Sequence, residues 1–245
     1  MQAVILAGGL GTRLRGLVEG IPKPMIEIAG RPFLEYLLLQ VAAYGIRDVV
    51  LCLGHLAHVV RSYFGRGRQF GVSISYSEEP KRLGTGGALK YAESLVKGND
   101  FLVMNADSFL EVDLDRLVGF HRTKRALVAI ALARVSDASR FGRVCIDDQL
   151  QIKSFVEKGA QGEGFINGGV YVFDKRIFSY LSPGYSSLEK DVFPQLIGRG
   201  IFGFPTNGYF VDIGTPESLN GLLGDPKEFL AAFNRQIGRE VRPGC

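Results

Sequence analysis

Three cysteines in 245 residues, at positions 52, 145 and 245, are too few and too scattered for a disulfide framework, and without a Cys-x-x-Cys pair they make no zinc site. Such a chain is expected in a reducing compartment, the cytoplasm. Histidine is equally scarce, and His55 and His58, three apart, have no third ligand of suitable type near them. Apolar residues make up 46% of the chain but never gather into a run long enough to span a membrane. No basic stretch precedes the short apolar run at the N-terminus, so no secretory signal is expected. Basic residues are dispersed and the net charge is only +4, which argues against a nucleic-acid footprint and favours a small anionic substrate. Internal repeats and Pro-, Ser- or charge-rich linkers are absent, so one domain over residues 1–245 is expected, with 240–245 as a frayed tail. Two catalytic or phosphate signatures are also missing, Gly-x-Ser-x-Gly and Gly-Lys-Ser/Thr, and the first loop does not complete a third: Gly9-Leu10-Gly11-Thr12-Arg13 is followed by Leu14 where Gly-x-Gly-x-x-Gly needs its last glycine.

What is present is glycine with positive charge, early. LAGGLGTRLRGLVEGIPKPM, residues 6–25, carries five glycines, two arginines and a lysine directly behind the apolar run Ala3 to Leu6. Backbone without Cβ can turn its amides onto a ligand at close range, and phosphate suits such a loop. Arg13 and Lys23 flank the loop and could meet on one polyphosphate, with Pro22 and Pro24 restricting the backbone around Lys23.

Apolar runs at Ala3 to Leu6, Val49 to Leu53, Val72 to Tyr76, Phe101 to Met104 and Leu127 to Ala133 predict strands. Between them, helices are predicted from Arg31-Pro32-Phe33 to Ala42, at His55 to Phe64, Thr85 to Val96 and Asp113 to Lys124. Alternation of this kind gives a mostly parallel sheet with helices on both faces, and ligands bind beyond the C-terminal strand ends. Beyond about residue 135 the pattern shifts to short strands at Arg143 to Ile146, Gln151 to Val156 and Gly169 to Phe173, then helices near Ser187 to Ile197 and Thr215 to Leu223.

Asp107 follows a predicted strand end, where it could bind metal or merely form a turn. Asp212, embedded in Tyr209-Phe210-Val211-Asp212-Ile213-Gly214, is costly to bury unless paired, metal-bound or used as a cap for the helix at Thr215. Two carboxylates beside a polyphosphate point to Mg²⁺, which takes oxygen ligands and shares them with substrate phosphates. Glu157-Lys158 and Asn167 would each read as a surface pair or a turn if they stood alone.

Together these segments resemble the sugar-1-phosphate nucleotidyltransferases, or nucleotide-sugar pyrophosphorylases, nearly end to end. LAGGLGTRL with PKPM looks like the signature loop and its lysine, and EEPKRLGTGGAL (78–89) like the base-recognition loop; NADS, FVEK, NGGVYVF and YFVDIGTPESL follow in the family's order. The resemblance implies a Rossmann-like three-layer α/β fold with a mostly parallel mixed central sheet, a small β-rich sugar-binding lobe and no C-terminal β-helix. It assigns residues 1–135 to nucleotide and 136–225 to sugar phosphate. It further implies that a nucleoside triphosphate and a sugar 1-phosphate bind with Mg²⁺ and react in line, with no nucleic acid or membrane as partner; a homodimer is one assembly open to it. Leu6, Ala7, Gly8, Gly9, Gly11, Thr12 and Arg13 would then bind the nucleotide, with Gly8, Gly11, Thr12 and Arg13 on its triphosphate, and Gly84 and Thr85 would meet the base. Arg13, Lys23 and Asp107 would act at the reacting centre, and Asp107 and Asp212 would bind the metal. Lys158 would hold the sugar phosphate, Glu157 and Asn167 its hydroxyls, and the backbone of Gly142 would face the sugar.

Two departures from the family pattern stand out: Gly16-Leu17-Val18 where many members have Pro-Leu-Thr, and Ala106 where many have glycine. The first, with RPFLEYLL, LGTGGAL and SLEKDVFP, looks like the branch that makes GDP-D-glycero-D-manno-heptose. Mannose guanylyltransferases and uridylyl-, thymidylyl- or cytidylyltransferases are the near alternatives. Rivals of another class are an inactive regulatory homologue and a glycosyltransferase, whose Asp-x-Asp would have to be Asp113-Leu114-Asp115, a segment that reads as a helix cap.

Overall fold

The structure, a computed structural model, describes residues 1–9, 11, 14, 20–159 and 161–238. Thr12, Arg13, the Gly16-Leu17-Val18 departure and the 240–245 tail lie outside the described residues. In chain order the strands are β1 (Gln2–Ala7), β2 (Glu27–Ile28), β3 (Arg31–Pro32), β4 (Asp48–Leu53), β5 (Ser73–Glu78), β6 (Asp100–Asn105), β7 (Ser108–Leu110), β8 (Val128–Val135), β9 (Arg143–Ile146), β10 (Ile152–Val156), β11 (Gly164–Asp174), β12 (Ile201–Thr206) and β13 (Phe210–Asp212). The α-helices are α1 (Phe33–Ala43), α2 (Ala57–Phe64), α3 (Gly84–Tyr91), α4 (Leu114–Lys124), α5 (Pro216–Gly224) and α6 (Lys227–Ile237).

Seven strands form the central sheet in the order β12-β8-β11-β6-β1-β4-β5. Four of its neighbour pairs are parallel, and β11 runs antiparallel to both β6 and β8. Alternation along β1 shows how the sheet is covered: Ala3 and Ile5 belong to the core under α1, α2, α4, α5 and α6, while Val4 and Leu6 point into the core under α3 and residues 175–196. Aromatic edges fasten α6 to α1, with Tyr36 packed against Phe229 and Phe233 at 4.8 Å between ring centres. The β-rich lobe is the β9–β10 hairpin, packed against β11, whereas β11 and β12 return to the central sheet.

Two predicted helices come out differently. The segment from Thr85 to Val96 splits into α3 and a separate 3-10 turn at Glu93–Leu95. Ser187 to Ile197 is not α-helical: it makes one π turn, Leu188–Val192, and then a 3-10 turn, Phe193–Leu196, because Pro194 has no N–H to continue an α pattern. Asp113 does cap α4, its side chain accepting from the Arg116 amide. Thr215, not Asp212, caps α5.

Candidate active site

The parallel strands β1 and β6 end on the same side of the sheet, and their continuations wall a cavity of about 300 Å³. Leu6, Ala7, Gly8 and Gly9 form one wall, Asn105, Ala106 and Asp107 a second, Gly84, Thr85 and Ala88 a third, and Lys23 reaches in from its turn at Lys23–Met25. Of the residues assigned to nucleotide, the described ones except Gly11 line this space, and Gly11, at φ +60°, packs its Cα side against the Lys23 stem.

Glycine at position 8 leaves room for the Glu79 carboxylate. A Cβ there would lie 2.8 Å from Glu79 Oε1, and one on Gly54 would lie 2.7 Å from the same atom. Glu79 thus wedges between the ends of β1 and β4, and its carboxylate accepts from the Leu83 amide at 3.1 Å. Burial raises its pKa above the ordinary value, opposed by that amide and by Arg82.

The glycines at the start of α3 allow close packing against residues 184–186. A Cβ on Gly84 (φ +72°) would lie 2.4 Å from Ser186 O, and one on Gly87 2.0 Å from Gly184 O. The amides of Gly86 and Gly87 donate to Ser186 O at 2.9 and 3.2 Å, and Leu83 O accepts from the Ser186 amide. Main-chain groups expected to read a base edge are in these cases committed to the 184–186 segment. The Thr85 hydroxyl is committed too, since it accepts from Leu188 N–H and donates to Glu189 Oε2.

Lys23 Nζ donates to Asp107 Oδ2 at 2.6 Å, with the lysine side chain 11% exposed and the aspartate 46%. Asp212 is brought beside this pair by the β7–β13 ribbon, in which Asp212 faces Ser108 and the Ile213 amide donates to Asp107 O at 2.9 Å. A Cβ on Gly214 would lie 2.6 Å from Asp212 Oδ2 and 3.5 Å from Lys23 Nζ, so ammonium and both carboxylates share one corner. Asp212 Oδ2 accepts from the Gly214 amide and Oδ1 from Ser218 Oγ, with Arg140 at 3.6 Å. Among the described residues no cluster of three or more His, Cys, Asp or Glu could hold a metal ion. Two hard oxygen donors beside one cavity nevertheless fit Mg²⁺, which can draw its remaining ligands from water and bound phosphates.

The sugar-side residues form a second group. Gly142, at φ +84°, backs onto the end of β10, where a Cβ would lie 2.7 Å from Val156 O and 3.8 Å from Lys158 N; Glu157 and Lys158 beyond it are exposed. Asn167, expected to contact a sugar hydroxyl, is also bonded within the fold. Its Oδ1 accepts from the Gly169 amide and its Nδ2 donates to Tyr171 Oη at 3.0 Å. Tyr171, fully buried, has its phenol pKa raised well above the usual value, chiefly by burial, then by Glu189. Asn105 also donates to that oxygen, at 3.3 Å, so Asn167 and Asn105 clamp one phenol between β11 and β6. Motif reading quoted the segments of Glu79, Arg82 and Asn105 without assigning those residues a role, and gave none to Tyr185, Ser187 and Glu189, which also line the cavity. For Glu189 a signal was there in SLEKDVFP.

The chain matches the nucleotidyl transferase family over residues 2–223. It is 38% identical to a D-glycero-alpha-D-manno-heptose 1-phosphate guanylyltransferase of Aneurinibacillus thermoaerophilus, over 89% of this chain and 94% of that one. To a mannose-1-phosphate guanylyltransferase of Mycobacterium tuberculosis it is 39% identical over 89% of its length, spanning 62% of that longer protein. Among solved structures, HddC from Yersinia pseudotuberculosis complexed with GMP-PN superposes with a TM-score of 0.82 at 33% identity, covering 92% of this chain and 99% of that one. The match runs from the first strand into the fifth helix and takes in every described wall of the cavity; the chain belongs to the nucleotidyl transferase family.

Proposed function

We propose that the chain transfers a nucleotidyl group from a nucleoside triphosphate to a sugar 1-phosphate, with GTP and D-glycero-D-manno-heptose 1-phosphate as its preferred pair. The observation that carries this reading is Lys23, a largely buried ammonium set against two carboxylates at the mouth of a glycine-walled cavity. Cationic positioning of phosphates is the catalysis such a reaction needs. The heptose and guanine preferences are supported by the guanylyltransferase relatives and by the likeness to a structure complexed with GMP-PN.

In this reading the triphosphate lies along residues 6–9 and Gly11, with Thr12 and Arg13 in the same loop, and the base lies toward Gly84, Thr85 and Glu79. Lys23 holds the phosphate oxygens at the reacting centre. Lys158 holds the sugar phosphate, Glu157 its hydroxyls, and the Gly142 backbone faces the sugar. An oxygen of the sugar phosphate, already anionic, forms a bond to the α-phosphorus while the α-to-β phosphoanhydride bond breaks and pyrophosphate leaves. No proton has to be removed from the nucleophile, so no strong base is required. Asp107 and Asp212 would hold Mg²⁺, which when bound supplies charge neutralisation and orientation of the phosphates. Asn105 and Asn167 keep the floor of the sugar side rigid through Tyr171. Among the described residues no helix is long and apolar enough to cross a membrane. Diffusible substrates of this kind suit a cytoplasmic enzyme, monomeric or homodimeric, that engages neither nucleic acid nor membrane.

Mannose 1-phosphate is the second reading, favoured by the 39% identity to the mycobacterial protein. Pyrophosphate release measured with GTP, UTP, CTP, dTTP and ATP against heptose, mannose and glucose 1-phosphates in Mg²⁺ tests both. GTP with heptose phosphate is expected to be turned over most efficiently. Preference for UTP or dTTP would remove the guanylyl assignment, and no release with any pair would remove the enzyme reading.

A further inference from the structure

We infer that Glu189 is a specificity residue that receives hydroxyl groups of the sugar 1-phosphate, an inference that rests on the reading just proposed. Glu189 sits on the π turn Leu188–Val192 and lines the cavity opposite the glycine loop. A carboxylate on the wall of a cavity for two phosphorylated substrates repels both unless it faces an uncharged, donor-rich part of one of them.

The local bonding sets that carboxylate up as an acceptor. Thr85 Oγ1 donates to Glu189 Oε2 at 2.7 Å and Ser187 Oγ donates to the same oxygen at 2.8 Å. Both hydroxyls are themselves fixed, Thr85 by the Leu188 amide at 2.8 Å and Ser187 by the Lys190 amide at 3.2 Å. Oε2 is therefore anchored twice. Oε1 accepts from no described residue, and no described cation pairs with Glu189. An ionised carboxylate has about four lone-pair sites, and neighbouring sugar hydroxyls are donors that could take the free ones.

Position decides between sugar and base. Glu189 is close enough to Tyr171 for its charge to raise that phenol's pKa, and Tyr171 lies in β11, on the far side of β6 from β1. The β9–β10 hairpin that carries Lys158 packs against β11 as well. Of the other two cavity carboxylates, Asp107 is paired with Lys23 and Glu79 stands across the sheet at the ends of β1, β4 and β5. Glu189 thus stands toward the β11 side of the cavity, bonded through Thr85 to the edge of the base loop, and Glu79 at the ends of β1 and β4.

The test is Glu189→Gln, which keeps an acceptor for Thr85 and Ser187 but removes the charge. We expect kcat/KM for the sugar 1-phosphate to fall roughly 10–100-fold, as for loss of a hydrogen bond to a charged group, while KM for GTP stays within about 2-fold and the melting temperature is unchanged. With a sugar phosphate lacking the contacted hydroxyl, wild type and variant should converge. Unchanged sugar kinetics in a wild type that is active would overturn this inference alone, and so would a rise confined to KM for GTP or a matched loss for both substrates with lowered stability. Absence of activity in wild type with every substrate pair would overturn the inference together with the proposed reaction. Should Glu189→Gln not fold, Glu189→Asp, which retracts the carboxylate by one methylene, is expected to show the same split between the two substrates.

Discussion

Replacing Lys23 with methionine separates catalysis from folding, because the ammonium has few structural duties. Methionine keeps much of the apolar stem where a Cβ on Gly11 would come within 3.5 Å of it, and deletes only the charge that meets Asp107 at 2.6 Å. The partner left behind is nearly half exposed, so water can solvate it and the stability cost should be about 1 kcal/mol or less. In a domain of this size that is a shift of roughly 2–4 °C in melting temperature. At the reacting phosphate the same charge acts over about 4 Å; with an effective dielectric near 20 it contributes about 4 kcal/mol, close to 10³-fold in rate. Stopped-time pyrophosphate release at saturating substrates should therefore fall on the order of 10²–10³-fold in Lys23→Met, with the melting curve almost in place. A variant that loses less than about 5-fold in kcat, or whose activity loss is matched by unfolding, would refute the assignment of Lys23 to the reacting phosphates.

Asp212→Asn should lower turnover about 100-fold or more while the fold persists, and EDTA should abolish activity of the wild type; full activity in chelator would remove Mg²⁺ from the proposal. Lys158→Ala should raise KM for the sugar phosphate more than it lowers kcat, which initial-rate kinetics with each substrate varied in turn will show; equal KM values in variant and wild type would be decisive against it. Gly87→Ala should destabilise by about 1–3 kcal/mol in urea unfolding, because its Cβ would fall 2.0 Å from Gly184 O. His121 is buried with neither ring nitrogen hydrogen-bonded to a described residue, and burial, the main cause, lowers its pKa below 6.5. The unfolded imidazole therefore takes up a proton that the folded one resists, so stability should be flat on this account above pH 6.5 and decline below it, by at most about 1.4 kcal/mol per pH unit. Denaturant titrations at pH 5 and 7.5 should show a shallower decline in His121→Leu; an identical one would sink the argument.

Strands buried on both faces were the legible part of the sequence, since runs such as Phe101 to Met104 and Val49 to Leu53 admit little else once glycine and charge bound them. β12 was missed because Gly203 and Pro205 break its pattern, which an edge strand tolerates and a central one would not. α6 was missed although its apolar residues Phe229, Ala232 and Phe233 recur at helical spacing. At the site, motifs located residues of a loop and a strand end that line the cavity, such as Gly8, Lys23 and Asp107. What they could not give was the use of each polar group. That Gly86 and Gly87 spend their amides on Ser186, or that Asn167 clamps Tyr171, depends on segments about 100 and 4 residues away meeting in one particular orientation. SLEKDVFP pointed to the segment of Glu189 but not to its bond with Thr85, 104 residues away.

The place of β11 in the sheet has a consequence for the order in which the protein can be made. Its residues are among the later ones to leave the ribosome, yet it lies between β6 and β8, and until it arrives β8 has no strand partner in the sheet. A nascent chain of about 135 residues would hold β1, β4, β5 and β6 together while the apolar edge of β6 stayed open and β8 hung unpaired. Residues 1–135, the half expected to hold nucleotide, are thus not a unit of assembly. The interval between synthesis of Val135 and Asp174 is when this chain is most exposed to wrong strand pairing, and chaperone capture or aggregation of truncated products should concentrate there.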